Sequence, residues 1–259
     1  MFRSWMALGL VALFGCNSGA SGDVKLGVDV AALTATVASQ LANGTTATDS
    51  SLVVTRIRVL VAHAKVGYTG GKASGSGPSA EIGPVVVELT ADEIASGAHR
   101  DFDLGTLPTG TYGGAEIEIQ PLDSSSTSTD PALADFVTSK ASVLVEGTFG
   151  GTAFTFAGHF LAEQGTDGNV NVDATVPLNL ALTVDPTGWF VDANGSVIDP
   201  TVATDHVAIA DGICKSLDTQ PQLSGPGGAP GAGTAHHGGP NGNAPAGNGN
   251  QAHCVETGQ

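Results

Sequence analysis

The residues best equipped for chemistry are seven histidines, three cysteines and scattered groups of Asp, Glu and Asn. His236 and His237, with His253 farther along, offer imidazole nitrogens of the kind that hold copper or zinc. They lie in a stretch of Gly, Pro, Asn and Ala, where ordering the chain around an ion costs conformational entropy. Incidental low-complexity sequence is the plainer account of them. His63, His99, His159 and His206 stand singly, as surface and packing histidines do.

Asp192, Asn194 and Asp199 offer oxygens for calcium, and Glu163, Asp167, Asn169 and Asp173 form a second such group. Neither has the D-x-[DN]-x-[DN]-G order of a calcium loop, and Asp and Asn are also the ordinary residues of turns. The candidate metal ligands are thus His236, His237, His253, Asp192, Asn194 and Asp199. Glu116 and Glu118 share one face of a predicted strand. Paired carboxylates suit glycoside hydrolysis, but two acids from one strand read more simply as a solvated face. No G-x-S-x-G elbow, H-E-x-x-H helix or Walker loop occurs. The glycines between 225 and 233 lack the strand and helix of a dinucleotide site. The expectation is no catalytic residue, no enzyme and no bound cofactor.

The thiols say more. Arg3 is the only charge before Asp23, and residues 5–14 (WMALGLVALF) form an apolar run. A bilayer-spanning helix needs about 20 apolar residues, so this run fits the core of an export signal better than a permanent span. It ends in Leu13, Phe14, Gly15 and Cys16. L-F-G-C resembles the bacterial lipobox, in which the cysteine is acylated and becomes the first mature residue; Phe14 replaces the small residue usual there. The alternative is an ordinary signal cut after Ala20. On the lipobox reading Cys16 carries a diacylglycerol and an acyl chain, each buried methylene adding about 0.8 kcal/mol of membrane affinity. Asn17 in place of an acid leans towards the outer rather than the inner membrane, by resemblance to known sorting patterns.

Cys214 and Cys254 are then an even pair in an oxidising compartment. A bond between them closes a loop of 40 residues, worth about 3–4 kcal/mol by chain entropy. Two free thiols are the alternative. No C-x-x-C spacing marks a zinc site.

Charge excludes some partners. Only 13% of the chain is charged and the net charge is −16. Nucleic acid needs Lys and Arg to displace counterions, and anionic lipid needs them as well. Membrane contact is therefore expected through the lipid alone, with an envelope protein or polysaccharide as the other partner.

The elements that must position these groups are mostly strands. Val24, Leu26, Val28 and Val30 alternate, whereas Leu33, Val37 and Leu41 recur every fourth residue. Ile57, Val59 and Val61 alternate with Arg56, Arg58 and Leu60, in a run continuing to Val66. Residues 67–80 read as a loop. Thr90 and Glu93 have capping-box spacing, closed by Gly97, and Asp130–Pro131 opens a helix burying Leu133, Phe136 and Val137. L-P-T-G-T-Y feeds a strand with Ala115, Ile117 and Ile119 inward. Gly150 and Gly151 join a hairpin. Apolar residues hold every even position from Val170 to Val184, with Pro177 marking a bend or an edge. A helix from about Thr204 buries Ile209, Ile213 and Leu217.

The expected fold is mainly β, a β-sandwich with one to three short helices. The division is a signal peptide at 1–15, a lipidated tether at 16–23, the β body at 24–218, and a low-complexity, mostly disordered tail at 219–259.

V-T-R-I-R-V-L-V, F-D-L-G-T-L-P-T-G-T-Y-G-G-A-E-I-E-I, V-E-G-T-F-G-G-T-A-F-T-F and L-N-L-A-L-T-V-D-P-T-G-W-F follow one another over residues 51–218. In this order they resemble a group of uncharacterised bacterial surface lipoproteins carrying a prealbumin-like, immunoglobulin-type sandwich of unknown function. The resemblance implies a fold and a location and transfers no catalytic residue. The expected role is a non-catalytic envelope lipoprotein displayed for binding; the alternative is a metal-handling one, using calcium at the turns or copper and zinc at the histidine tail.

Overall fold

The computed structural model describes residues 19–32, 52–67, 78–122 and 130–217, and the strand backbone at Gln222–Ser224 and Gln251–Glu256. The protein is mainly β, with three short helices among the described residues. The strands are β1 (Ser21–Val30), β2 (Leu52–Val66), β3 (Ala80–Ile82), β4 (Val85–Thr90), β5 (Ala98–Pro108), β6 (Gly110–Ile119), β7 (Val143–Phe149), β8 (Thr152–Gly158), β9 (Phe160–Val172), β10 (Leu178–Val184), β11 (Gln222–Ser224) and β12 (Gln251–Glu256). The helices are α1 (Ala91–Ser96), α2 (Pro131–Ser139) and α3 (His206–Leu217).

Two sheets share one core. The smaller has the order β11-β10-β1-β5, with β1 parallel to β10 and antiparallel to β5. The larger is antiparallel and centres on β2, whose two halves have different neighbours. Residues 56–59 run between β4 and β7, and residues 64–66 between β3 and β6. β9 and β12 extend the second half, and β8 extends the first. Val24, Leu26, Val28, Leu180 and Leu182 from one sheet meet Ile57, Val59, Ile117, Val145 and Phe156 from the other in a continuous buried cluster. On β1, β6, β8 and β10 every second residue faces inward, and this period-two pattern builds the core from both sides.

Local signals explain how the chain turns between these strands. The Glu93 carboxylate accepts the Thr90 amide at 2.9 Å and its hydroxyl at 2.8 Å. These bonds and Arg100 hold Glu93 down to a pKa of about 2, the Thr90 amide contributing most. Asp130 caps α2 by accepting the Ala132 amide, with Pro131 in the first turn. Gly150 and Gly151, at φ 55° and 78°, make the tight turn that sets Phe149 opposite Thr152. Helix α3 buries Ile209, Ile213 and Leu217, as its spacing predicts. Trp189 is buried beside it and donates its indole N–H to the Ser216 hydroxyl at 2.7 Å. A Cβ at Gly212 would sit 2.6 Å from the Gly188 carbonyl, so only glycine allows this approach.

The structure differs from the sequence expectation at three places. The alternating run 170–184 is two strands in different sheets, because Asp173 folds the chain over Thr175 and β10 resumes only after Pro177. Within residues 16–23, expected to be a tether, Ser21, Gly22 and Asp23 belong to β1, and Ser21 pairs with Pro108. The tail contributes two strands, β11 beside β10 and β12 beside β9. The expected helical turn at Leu33, Val37 and Leu41 lies outside the described residues.

Candidate functional site

The site begins with an irregularity in β2. Up to Val61 the odd residues Ile57, Val59 and Val61 face the core; after it the even residues Ala64 and Val66 do. A register shift between Val61 and His63, where β2 meets β6, produces the change. An extra residue on one strand of an antiparallel pair is a β-bulge, and it re-aims the side chains beyond it. His63 is therefore on the outer face, whereas unbroken alternation would point it inward.

Opposite it, β6 alternates strictly. Ala115, Ile117 and Ile119 are buried, and Glu116 and Glu118 take the outer face. His63 pairs in register with Glu118, and Lys65 with Glu116. The His63 Nδ1 lies 3.0 Å from a Glu118 oxygen, and its Nε2 lies 3.7 Å from a Glu116 oxygen. The side chains are 30%, 14% and 19% exposed for His63, Glu116 and Glu118. One ligand atom from each falls within 4.8 Å of the other two. Among the described residues this is the group of His, Cys and carboxylate side chains close enough to share a metal ion.

The electrostatics follow from crowding. The Glu116 carboxylate beside the ring raises the pKa of His63, partial burial opposes it, and the charges of Glu118, Glu116 and Glu81 add to the rise. Burial raises the pKa of Glu118; His63 pulls it back, while Glu116 and Glu163 push it up again. Glu163 is the register partner of Glu118 on β9, and His253 of β12 is the register partner of Glu163. The Lys65 ammonium is 3.8 Å from Glu81.

The residues singled out from the sequence fare differently. Cys16, His236 and His237 lie outside the described residues. Cys214 sits in α3 and is disulfide-bonded. Cys254 and His253 lie on β12, in a strand rather than a floppy segment. Asp192 accepts the amides of Asn194 and Ser196 at 2.8 Å each, and these bonds, Ser196 foremost, lower its pKa. Asp199 accepts the Thr201 amide and hydroxyl at 2.8 and 2.7 Å. Asp173 and Asp185 bind Thr175 and Thr187 in the same way. These acids shape turns.

Of the single histidines, His159 donates to the Lys140 carbonyl at 2.7 Å, and His206 to the Pro200 carbonyl at 3.0 Å. His99 bridges Asp29 and Asp101 at 2.7 and 2.9 Å on the smaller sheet, with its side chain 56% exposed. His63 is the one whose place beside two carboxylates sequence reasoning missed. The available signal was the slip from odd to even apolar positions after Val61.

No family model matches the chain, and no curated protein or solved structure matches it either.

Proposed function

We propose that the chain is a non-catalytic, lipid-anchored protein of the bacterial cell envelope, a β-sandwich of the immunoglobulin or prealbumin kind displayed from a membrane for binding. The observation that carries this reading is L-F-G-C at residues 13–16, closing an apolar run too short to span a bilayer.

Four structural facts support it. The first described strand starts at Ser21, so a lipid on Cys16 leaves four residues between the membrane and that strand. Cys214 is disulfide-bonded, the state expected in an oxidising compartment. We assign Cys254 as its partner, because β12 packs beside α3 and Cys16 is taken by the lipid. Two sheets enclose one core, the layering of a sandwich. The Tyr112 hydroxyl donates to the Pro108 carbonyl four residues upstream at 2.6 Å. That bond resembles the tyrosine corner of immunoglobulin-type domains, and it gives the L-P-T-G-T-Y segment a structural role.

The test is metabolic labelling with palmitate. Wild-type protein is expected to take the label and fractionate with outer membranes, and Cys16→Ala to do neither. Label retained by Cys16→Ala overturns the reading.

A further inference from the structure

We propose that His63, Glu116 and Glu118 together bind one divalent transition-metal ion of the zinc class on the outer face of the larger sheet. This goes beyond the envelope role and does not depend on the anchor.

The donor set is one imidazole nitrogen and two carboxylates, their ligating atoms already within 4.8 Å of one another. Zinc bonds of about 2.0–2.2 Å place neighbouring ligand atoms roughly 3.3–3.5 Å apart. The 3.0 and 3.7 Å contacts to Glu118 and Glu116 use opposite ring nitrogens, of which an ion takes one. With one atom from each residue the set lies within 4.8 Å, so the ligands must draw in by about an ångström. Only side-chain rotation is needed to bring one ring nitrogen and both carboxylates onto a common ion. Three protein ligands leave a fourth position for water or an anionic group, the arrangement of an open rather than a closed site.

Charge points the same way. Glu116 and Glu118 are mostly buried, and Glu163 follows in the next strand. A protonated His63 neutralises one of these carboxylates. Lys65 stands opposite Glu116 in register, and its ammonium also faces Glu81. A dication balances both Glu116 and Glu118, and partial burial strengthens its attraction to them. The imidazole selects against calcium and magnesium, which take oxygen ligands. The framework is stiff, because β2 and β6 each pair along both edges at this level. A histidine serving only as an ion-pair partner would need no such arrangement and would bind no metal.

The test is calorimetric titration of the purified full chain with zinc after chelator treatment. Expected is one equivalent in the micromolar range, weakened at least tenfold by His63→Ala and at least a hundredfold by E116Q combined with E118Q. A full-length variant carrying H236A, H237A and H253A is expected to bind as wild type does, and a tenfold excess of calcium is expected not to compete. Affinity only in the millimolar range overturns the proposal. So does zinc binding that survives His63→Ala and disappears in the triple variant, which would move the site to the tail. If a variant fails to fold, the wild-type protein still decides: the His63 ring resonances must shift and saturate at one equivalent of zinc, and unmoved resonances refute the site.

Discussion

The two halves of β2 carry charged residues on the same outer face of one sheet, yet they are finished in opposite ways. At the first half, α2 lies over the face, and Leu133 and Phe136 pack with Leu60 and Leu144 in a second small core. Arg58 is caught beneath it with its side chain 7% exposed, 2.6 Å from both Asp135 and Glu146 and 5.7 Å from the centre of the Phe136 ring. At the second half His63, Glu116 and Glu118 stay partly open to solvent. The covered half matches its buried cation with two acids and an aromatic face, as a desolvated charge requires. The open half gathers Glu81, Glu116, Glu118 and Glu163 around His63 and Lys65, more acids than bases. A closed charge cluster serves the fold; an open, unbalanced one is available to a ligand.

The largest effect should come from uncovering the closed half. Phe136→Ala is expected to cost about 3–5 kcal/mol in urea unfolding, because Phe136 is fully buried in the small core. A loss below about 1 kcal/mol would mean that α2 merely rests on the sheet.

Zinc should separate the halves next. At a hundredfold excess over its dissociation constant, a ligand bound only by the folded state adds about 2.7 kcal/mol. The melting temperature of wild type and of Arg58→Ala should rise with zinc, and that of His63→Ala should not.

Arg58→Ala itself is expected to cost about 2 kcal/mol, short of the usual 3–5 for breaking a buried pair. The acids it leaves behind, Glu146 and Asp135, are 31% and 63% exposed and can be hydrated. A cost as large as that of Phe136→Ala would show that the ion pair, and not the helix, closes this half.

The smallest effect is on pH dependence. The folded pKa of His63 lies above its ordinary 6.5, so its ion pairs stabilise the fold fully below that value. This contribution is lost as pH rises through the folded pKa. Stability of the metal-free protein should therefore decline as pH rises above the ordinary histidine value of 6.5, and His63→Ala should flatten the decline. The measurement belongs in a His99→Ala background, because Asp29 and Asp101 also raise the pKa of His99. With zinc present the trend should reverse, since a ligating imidazole must first lose its proton.

What was legible in the sequence was local. Thr90 with Glu93, Asp130 with Pro131, the Gly150–Gly151 turn and the spacing of Ile209, Ile213 and Leu217 all act within a few residues, and all stand in the structure. The outward Glu116 and Glu118 follow from alternation in the same way. The rest depends on pairing between distant segments. Period-two spacing runs unbroken from 170 to 184, and it does not say that Val172 and Leu178 belong to different sheets. The tail composition hides that six of its residues extend β9. The bulge at Ala62 leaves only a one-residue slip in the apolar pattern, too slight to show which way His63 points without β6 beside it.

The position of β1 has a mechanical consequence. A leader joined to a strand at the rim of a sheet would peel it off one hydrogen bond at a time. Ser21–Val30 instead lies in the interior of the smaller sheet, laddered on both sides to β10 and β5. Tension drawn along it from its N-terminal end, as the proposed anchor would apply, must slide it past both neighbours at once, loading the two ladders in shear. The first described strand is thus held on both sides, and its parallel ladder closes only after β10, far along the chain, has been made.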